Sequence, residues 1–241
     1  MVVYRLIEEP IFPHPDESEP DGLLAVGGDL SPERLLSAYA SGIFPWYDET
    51  SPILWWSLDP RLILRLDKLY ISKRVKRKIK KQEYRVTIDT DFRNVITNCA
   101  GKNRPGQGGT WILQEIIDAY VELHKLGFAH SVEVWNKDGK LAGGLYGVSL
   151  GRVFSGESMF FLEPDASKVG FSYLVKYLEN REFHFVDCQQ PTDHLKSLGA
   201  EEVTREEFLS MLDDSLEYSA LRGRWEFLAN EYDLITENLI R

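Results

Sequence analysis

Three polar side chains in the second half of the chain are candidates for a reaction centre, and the first is Glu157. It lies in the segment GESMF, at the end of a predicted strand and between Phe154 and Phe160. Among such apolar neighbours a carboxylate loses part of its hydration and needs a cationic partner. A substrate can supply that cation, and so can an internal side chain such as Lys168.

The other two candidates, Asp187 and Gln189, lie two residues apart in the strand-like segment FHFVDCQ. Side chains at this spacing share one face of a strand, whereas Cys188 between them points to the opposite face. An acid and an amide on one face can bind one small polar substrate. They can equally form a structural hydrogen-bonded pair, so both interpretations stay open.

Aromatic residues are concentrated near the N-terminus, in a stretch rich in Pro and Gly. The stretch itself and two later positions give seven candidates: Phe44, Trp46, Tyr47, Trp55, Trp56, Trp111 and Tyr120. Most aromatic residues belong to cores. A stretch of this composition can also form the wall of a pocket, in which an apolar side chain or a nucleobase stacks.

A basic run at residues 73–81 (KRVKRKIKK) interrupts a chain whose net charge is −10. Ten Lys or Arg and two acids give residues 65–85 a charge of +8, so the rest carries −18. We therefore expect one local contact with nucleic-acid phosphate, made by Lys73, Arg74, Lys76, Arg77, Lys78, Lys80 and Lys81. Val75 and Ile79 behind a Ser72 cap also fit an ordinary amphipathic surface helix.

With 241 residues and 43% hydrophobic content, the chain can bury a large core as one domain or two. Its first residues do not resemble a signal peptide, and no apolar run approaches the roughly 18 residues of a membrane span. We expect a cytoplasmic protein without membrane contact. Cys99, Cys188 and the five histidines lack metal-ligand spacing, so we expect neither a metal nor a disulfide.

Capping residues and apolar periodicity predict four helices in the first half of the chain. Their ranges are 32–40, 73–81, 91–99 and 112–126. Ser31 and Pro32 start the first helix, whereas Thr110 caps the fourth and Gly127 stops it. The segment GKNRPGQGG before the fourth helix contains five Gly or Pro, which predicts a mobile loop.

The second half of the chain predicts an antiparallel meander of three strands, HSVEVW, LAGGLYGVSL and GRVFSGESMF. A helix after Asp165, a strand at 183–189 and a last helix capped by Thr204 follow. This order is typical of an acyltransferase-like α+β layer. The stretch FFLEPDASK has no glycine and two acids, so coenzyme A is not the expected acyl donor.

Several segments together resemble one known family, and no match to it can be placed after about residue 213. The matching stretches are DGLLAVGGDLSPERLLSAYASGIFPWY at 21–47, PILWWSLDPR at 52–61, TWI at 110–112, AHSVEVW at 129–135, GGLYGV at 143–148, GESMF at 156–160, ASK at 166–168, and DCQ followed by HLKSLGA within 187–200. In this order they resemble the bacterial leucyl/phenylalanyl-tRNA–protein transferases of the N-end rule pathway.

The resemblance implies an aminoacyltransferase that moves Leu or Phe, and less well Met, from aminoacyl-tRNA to the α-amine of proteins beginning with Arg or Lys. This transfer marks the acceptor for degradation. The implied fold is α+β, with a small N-terminal domain (1–64) and an acetyltransferase-like (GNAT) domain (65–241) whose mostly antiparallel sheet is flanked by helices. No metal or cofactor is implied, and we expect a monomer.

Position by position, the resemblance assigns two sets of site residues. Glu157, Asp187 and Gln189 fall at the catalytic centre. The aminoacyl and adenosine site would be lined by Tyr39, Trp46, Trp111, Tyr120, Leu145, Phe154, Ser158, Met159 and Leu174. Leu145 stands where the family has a Met and Leu174 where it has a Phe, and such small changes in a pocket discriminate by only about 1–3 kcal/mol. The preference among Leu, Phe and Met therefore stays open.

Two other functions remain as alternatives. In a cysteine acyltransferase, Cys188 would attack the ester, with His194 as its base and Asp187 orienting the histidine. Strand alternation, however, turns Cys188 away from Asp187. An RNA-binding module without catalysis would use only the basic run and the aromatic residues, and would leave GESMF and DCQ unexplained.

Overall fold

Alternating runs of β-branched, aromatic and small residues between positions 129 and 161 build the centre of the fold. The computed structural model describes residues 3–101 and 112–241. The strands are β1 (Tyr4–Arg5), β2 (Leu23–Val26), β3 (Phe44–Pro45), β4 (Leu54–Trp56), β5 (Arg61–Arg65), β6 (Arg85–Ile88), β7 (Ala129–Trp135), β8 (Leu141–Leu150), β9 (Val153–Phe161), β10 (Phe185–Gln189) and β11 (Glu201–Val203). The α-helices are α1 (Pro32–Ala40), α2 (Lys73–Lys80), α3 (Phe92–Ala100), α4 (Gln114–Lys125), α5 (Ala166–Glu179), α6 (Asp193–Lys196), α7 (Arg205–Leu216) and α8 (Glu231–Ile240).

A seven-stranded mixed sheet carries the candidate centre. Its strand order is β11-β5-β10-β9-β8-β7-β6. The predicted meander is confirmed, because β7, β8 and β9 pair in antiparallel succession. Together with the helices, this sheet makes the chain an α+β protein, as predicted.

One neighbouring pair in this sheet, β9 and β10, is parallel and is connected through α5. Its paired residues run from Phe185 opposite Val153 to Asp187 opposite Ser155. Beyond that point the two strands no longer pair, although both continue. The divergence leaves a gap that side chains from both strands can line.

Helices cover both faces of the large sheet. On one face α2, α5 and α8 pack around Leu145, Phe154 and Val186. On the other face α1, α3 and α4 surround Tyr146, and α7 covers Phe185. Adjacent residues of one strand, such as Phe185 and Val186, thus belong to opposite cores, as the pleat of a strand requires.

A smaller four-stranded sheet, of order β1-β2-β4-β3, holds the N-terminal aromatic stretch. Trp55 is fully buried, and its indole Nε1 donates to the Gly27 carbonyl oxygen at 2.9 Å. Trp56 Nε1 donates to the Trp46 carbonyl oxygen at 2.6 Å. Most of these aromatic side chains are therefore core, which was one of the two interpretations of the stretch.

The two sheets bear on the predicted division of the chain into domains. β5 pairs with β10 and β11 in the large sheet, so a boundary after residue 64 would divide this strand. The connection between Trp56 and Arg61 separates the last strand of the small sheet from the first of the large one. The two-domain division remains a prediction, with this connection as its structural junction.

Local capping explains where the predicted helices begin. The hydroxyl oxygens of Ser31, Ser72 and Thr204 each accept a backbone N–H from the first turn of α1, α2 and α7. The helix expected from residue 112 begins at Gln114, and Gly127 follows it in the left-handed region, at φ 80°. The predicted cap Thr110 and most of the predicted mobile loop lie outside the described residues.

The segment after α7 packs onto the large sheet. Trp225 is 2% exposed, and its ring stacks on His130 with 3.7 Å between centroids. Its backbone N–H donates to Asp89 Oδ2 at 2.7 Å. α8 then lies against α2 and α5, and Arg181 forms an ion pair with Glu231 at 2.5 Å. The prediction that α7 is the last helix is therefore wrong.

Candidate active site

A cavity of about 480 Å³ opens where β9 and β10 diverge. Its apolar wall combines residues of β8, β9, β10 and α5, namely Leu145, Phe154, Met159, Phe171 and Val186. The N-terminal part of the chain contributes Phe44, Pro45 and Trp46. Polar groups face the cavity from Glu157, Ser158, Ser167, Gln189, Gln190, Thr192 and His194. The shape and lining suit a ligand with one apolar and one polar part.

Glu157 is the buried carboxylate of this cavity. Its Oε1 accepts hydrogen bonds from Tyr39 OH at 2.7 Å and from Gln189 Nε2 at 2.8 Å. Its Oε2 accepts from Tyr120 OH at 3.3 Å. Within residues 3–101 and 112–241, Glu157 forms no ion pair with a Lys, Arg or His side chain. The alternative of an internal pair with Lys168 is therefore not what the structure shows.

The surroundings of Glu157 favour its neutral form. Burial raises the pKa of Glu157 to about 7, against the opposing effect of the hydrogen bonds from Tyr39 and Gln189. Burial also raises the pKa of Tyr39 and Tyr120 well above the ordinary tyrosine value, so both hydroxyls stay protonated and donate. A cation placed in the cavity would favour the ionised carboxylate.

Gln189 ends β10 with an unusual backbone. Its φ of 60° lies in the left-handed region, and the pairing with β5 is irregular between Asp187 and Gln189. Its side-chain Nε2 is occupied by Glu157, at 2.8 Å. The amide oxygen of Gln189 therefore remains as an acceptor for a substrate in the cavity.

Asp187 does not line the cavity, although it is two residues from Gln189. Its two oxygens accept from Arg61 Nε at 2.8 Å and from Arg61 Nη2 at 2.7 Å. Its Oδ1 also accepts the Gln189 backbone N–H, at 2.9 Å. The expected shared face is absent because the left-handed backbone at Gln189 breaks the alternation of the strand. Asp187 thus reaches the cavity only through Gln189.

The basic run forms α2, which is both an amphipathic helix and a charged surface. Val75 and Ile79 are buried in the core. Arg74 pairs with the buried carboxylate of Asp165, and Lys78 Nζ donates to Glu83 at 2.7 Å. The cations without a hydrogen-bond or ion-pair partner in the described part of the chain are Lys73, Lys76, Arg77, Lys80 and Lys81. Five of the seven predicted contact residues are therefore available to an anionic partner.

The sequence also matches a known family over most of its length. The profile of the leucyl/phenylalanyl-tRNA protein transferases matches residues 63–213, and the profile of their N-terminal domain matches residues 28–59. The chain belongs to this family. The resemblance drawn from the motifs is thereby confirmed, and with it the enzyme class, aminoacyltransferase. An RNA-binding module without catalysis is no longer a tenable alternative.

Curated relatives of this transferase family cover nearly the whole chain. A leucyl/phenylalanyl-tRNA–protein transferase of Maridesulfovibrio salexigens is 80% identical over 99% of this chain and 100% of its own length. One from Anaeromyxobacter sp. strain Fw109-5 is 58% identical over 96% of this chain and 98% of its own length. A solved structure of L-PGS from Bacillus licheniformis covers 88% of this chain and 63% of its own at 12% identity, with a TM-score of 0.40. A likeness this weak decides nothing about the fold.

Five of the nine lining residues expected from the transferase motifs do line the cavity. They are Trp46, Leu145, Phe154, Ser158 and Met159. Tyr39 and Tyr120 instead lie behind Glu157, where both hydroxyl oxygens are within hydrogen-bond distance of its carboxylate and of each other. Their contribution is to hold Glu157 rather than to contact a ligand in the cavity.

One of the remaining two expected lining residues, Leu174, is not placed at the cavity. Leu174 is 1% exposed and packs in the core under the sheet, whereas Phe171, one turn earlier on α5, lines the cavity. Trp111 lies outside the described residues. The motif comparison missed Phe171, and although the matching stretch PILWWSLDPR ends at Arg61, it assigned that residue no role.

The structure gives little support to a cysteine nucleophile. Cys188 and His194 both line the cavity, but burial and the charge of Asp187 raise the pKa of the Cys188 thiol and disfavour the thiolate. The hydrogen bonds of Asp187 go to Arg61, Ser155 and Gln189, not to His194. The acid, base and thiol of this alternative are therefore not arranged as a working set.

Neither of two further classes of site is found in residues 3–101 and 112–241. No group of three or more His, Cys, Asp or Glu side chains is arranged to hold a metal ion there. None of the helices in that part of the chain combines the length and the apolarity that a membrane crossing requires.

Proposed function

We propose that the chain transfers Leu or Phe, and less well Met, from aminoacyl-tRNA to the α-amine of proteins beginning with Arg or Lys. One observation carries the proposal: a buried carboxylate, Glu157, faces a largely apolar cavity, and its hydrogen-bond partners among the described residues are neutral donors. Such a group lacks the cation that its burial calls for. An acceptor beginning with Arg or Lys supplies one.

The apolar wall suits the donor's side chain. Leu145, Phe154, Met159 and Phe171 line one part of the cavity and offer no charge to an incoming aliphatic or aromatic group. Selection among Leu, Phe and Met by such a wall rests on shape and buried area, which distinguish substrates of similar size by about 1–3 kcal/mol. Acceptance of more than one apolar residue is the expected outcome.

Glu157, rather than Asp187, is the residue proposed to select a cationic acceptor. Asp187 already binds Arg61 at 2.7 and 2.8 Å, with both side chains at most 2% exposed. A second cation at Asp187 would have to displace this pair. Glu157 has no such internal partner in the described part of the chain, so a substrate ammonium or guanidinium gains a charge-assisted hydrogen bond there.

The proposed reaction forms a C–N and an O–H bond and breaks a C–O and an N–H bond. The acceptor nitrogen attacks the ester carbonyl carbon of the aminoacyl-tRNA, the carbon–oxygen ester bond breaks, and the terminal ribose oxygen leaves with the amine's proton. An α-amine has a pKa of about 7.7–8.0 when unperturbed, so part of it is neutral near pH 7. The Gln189 amide oxygen orients the amine by accepting one N–H. Positioning alone can then contribute about 7–11 kcal/mol, and no metal or coenzyme is needed.

The tRNA is proposed to lie along the outer face of α2. Lys73, Lys76, Arg77, Lys80 and Lys81 carry no competing ion pair among the described residues, and so they can neutralise backbone phosphates. The net charge of −10 disfavours other binding modes. Arg74 and Lys78 are proposed to stabilise the helix rather than to contact RNA, because Asp165 and Glu83 already bind them.

Three coarser features complete the proposal. We propose that the large sheet and the helices that cover it form an acetyltransferase-like (GNAT) domain, supported by the one parallel pair of this sheet, which diverges at the cavity. We propose a small N-terminal domain before it. A cytoplasmic location follows from the use of charged tRNA, and a monomer is proposed because the cavity is lined within one chain.

Transfer of labelled Leu from charged tRNA tests this function. Two test proteins differ only in an N-terminal Arg or Ala, and a filter assay measures binding of the charged tRNA. We expect label on the Arg protein alone. Equal labelling of both proteins would contradict acceptor selection by a carboxylate, and tRNA binding without any transfer would contradict the proposed activity itself.

A further inference from the structure

Arg61 is buried at the junction of three parts of the chain. Its Nη1 donates to the Gly42 carbonyl oxygen at 3.2 Å, in the turn after α1. Its guanidinium lies between the Phe44 and Phe208 rings, 4.8 and 4.4 Å from their centroids. The side chain is 1% exposed. Arg61 thus joins β5, the N-terminal turn and α7 without facing the cavity.

The remaining donors of Arg61 determine the orientation of Asp187. Nε and Nη2 form two parallel hydrogen bonds to the carboxylate, at 2.8 and 2.7 Å. A fork of this kind fixes the plane of a carboxylate as well as its position. Its Oδ1 is thereby directed at the Gln189 backbone N–H, which it accepts at 2.9 Å.

The backbone conformation of Gln189 connects the Arg61–Asp187 pair to the cavity. A φ of 60° is costly for a residue with a side chain, and such a conformation persists only where neighbouring contacts hold it. The hydrogen bond from Gln189 N–H to Asp187 is such a contact. This conformation directs the Gln189 amide to Glu157, with 2.8 Å between Nε2 and Oε1.

We propose that Arg61 is a positioning residue of the transferase: by holding Asp187 in one orientation, it keeps Gln189 in the left-handed conformation that directs its amide into the cavity. The proposal rests on the proposed function, in which Gln189 orients the acceptor amine. It assigns Asp187 to the same positioning unit rather than to substrate contact. Arg61 also links that unit to Phe44, a residue of the cavity wall.

A purely structural ion pair would behave differently from a positioning unit. Replacement of a buried pair by apolar residues of similar size often leaves stability almost unchanged. If Arg61 and Asp187 only stabilised the fold, such a replacement would leave both stability and activity nearly intact. If they position Gln189, stability is retained while the chemical step slows, because a misplacement of about 1 Å can cost about 100-fold in rate.

The test compares the double variant Arg61→Met/Asp187→Leu with the wild type and with Arg181→Met/Glu231→Leu. The second pair is also an arginine–carboxylate pair, but it joins the turn after α5 to the start of α8, away from the cavity. We expect the variant at Arg61 to fold, to keep the KM for charged tRNA within about 3-fold, and to lose about 100-fold in kcat. The control pair should keep both constants within about 3-fold. A kcat within about 3-fold of wild type in the folded Arg61 variant would overturn the proposal.

A crystal structure of the double variant separates this proposal from the proposed function. We expect Gln189 to leave the left-handed region and its Nε2 to move away from Glu157 Oε1. An unchanged Gln189 would overturn the positioning role even if the wild type transfers Leu. Absence of transfer by the wild type would instead overturn the proposed function, and the conformation of Gln189 would still decide what Arg61 does.

Arg61→Lys tests the same positioning role if the double variant does not fold. Lys keeps the charge but offers no planar fork, so it can pair with Asp187 without fixing its plane. We expect an intermediate loss of about 10-fold in kcat, with little change in the KM for charged tRNA. A kcat equal to that of the wild type would contradict the positioning role.

Discussion

Two buried carboxylates of neighbouring strands, Asp187 and Glu157, differ in what surrounds them. Asp187 is bound by the Arg61 guanidinium at 2.7 and 2.8 Å and is absent from the cavity wall. Glu157 is held by two tyrosine hydroxyls and one amide, and it faces the cavity. One acid is therefore neutralised internally, and the other, by our proposal, is left for a cationic substrate.

The comparison shows which of the two buried acids still lacks a counter-charge among the described residues. An acid that has its own cation gains nothing further from a substrate cation, whereas an acid held by neutral donors still lacks a counter-charge. The same distinction applies to the cations of α2. Arg74 and Lys78 have internal acids, and five other cations of the run have no ion-pair partner in the described part of the chain.

The largest expected effect is the loss of the Asp187 counter-charge. Arg61→Met leaves a carboxylate that is 2% exposed without its cation, and we expect the free energy of unfolding to fall by about 3–5 kcal/mol. Urea denaturation at pH 7 measures it. As a matched control, Arg93→Met removes the cation of a surface pair whose members are 59% and 58% exposed, and it should cost at most about 1 kcal/mol. Equal losses for Arg61→Met and Arg93→Met would show that the buried Asp187 carboxylate depends on its cation no more than a surface acid does.

Removal of the Glu157 charge should raise the free energy of unfolding, whereas Arg61→Met lowers it. The size of the increase should depend on pH. Burial raises the pKa of Glu157 from 4.5 to about 7, so between these values the native state binds more protons than the unfolded state, and stability falls as pH rises. Glu157→Gln should therefore be near neutral below pH 4.5 and stabilise by on the order of 3 kcal/mol above pH 7. Urea denaturation of both proteins at pH 4.5 and pH 8 measures the difference. A difference in stability that does not change with pH would show that the native state does not raise the pKa of Glu157.

On α2 the comparison predicts two kinds of effect from neighbouring arginines. Arg74→Ala leaves the buried Asp165 carboxylate unpaired, and should lower the free energy of unfolding by about 1–3 kcal/mol. Arg77→Ala should leave stability unchanged but reduce the salt dependence of tRNA binding by roughly 0.7–0.9 in the log–log slope. Urea denaturation and filter binding at several salt concentrations measure the two effects. A reduced slope for Arg74→Ala with normal stability would show that Arg74 contacts the tRNA rather than stabilising the fold.

The smallest effect is expected at Cys188. Burial raises the pKa of its thiol and disfavours the thiolate, so we expect no nucleophilic role for it. Cys188→Ala should keep kcat within about 3-fold of the wild type. A loss of several hundred-fold, with a normal KM for charged tRNA, would restore the covalent route.

Local patterns account for the parts of the fold that could be predicted from the sequence. Ser31, Ser72 and Thr204 each cap a helix through a contact three residues away, and the meander pairs strands that follow one another in the chain. Such signals need no knowledge of distant residues. The contact of Arg61 with Asp187, by contrast, spans 126 positions, and nothing local to either residue indicates it.

The lining of the cavity shows a second limit of the sequence. Strand alternation predicted a shared face for Asp187 and Gln189, but the left-handed φ of Gln189 breaks that alternation. Almost every residue of α5 between Ala166 and Leu178 is buried, so apolar periodicity cannot separate the face toward the cavity from the face toward the core. On this helix the motif resemblance selected Leu174, whereas Phe171 is the residue that lines the cavity.

The most direct test of the account measures how Glu157 responds to the charge of the acceptor. Two peptides are compared that begin with Arg or with citrulline, its uncharged isostere, using the wild type, Glu157→Gln and the control Glu122→Gln, which changes an exposed surface acid. We expect the wild type and the control to favour Arg by about 100-fold in kcat/KM, and Glu157→Gln to lose that preference while it still binds charged tRNA. A full preference for Arg in Glu157→Gln would contradict the claim that this carboxylate is kept for the substrate.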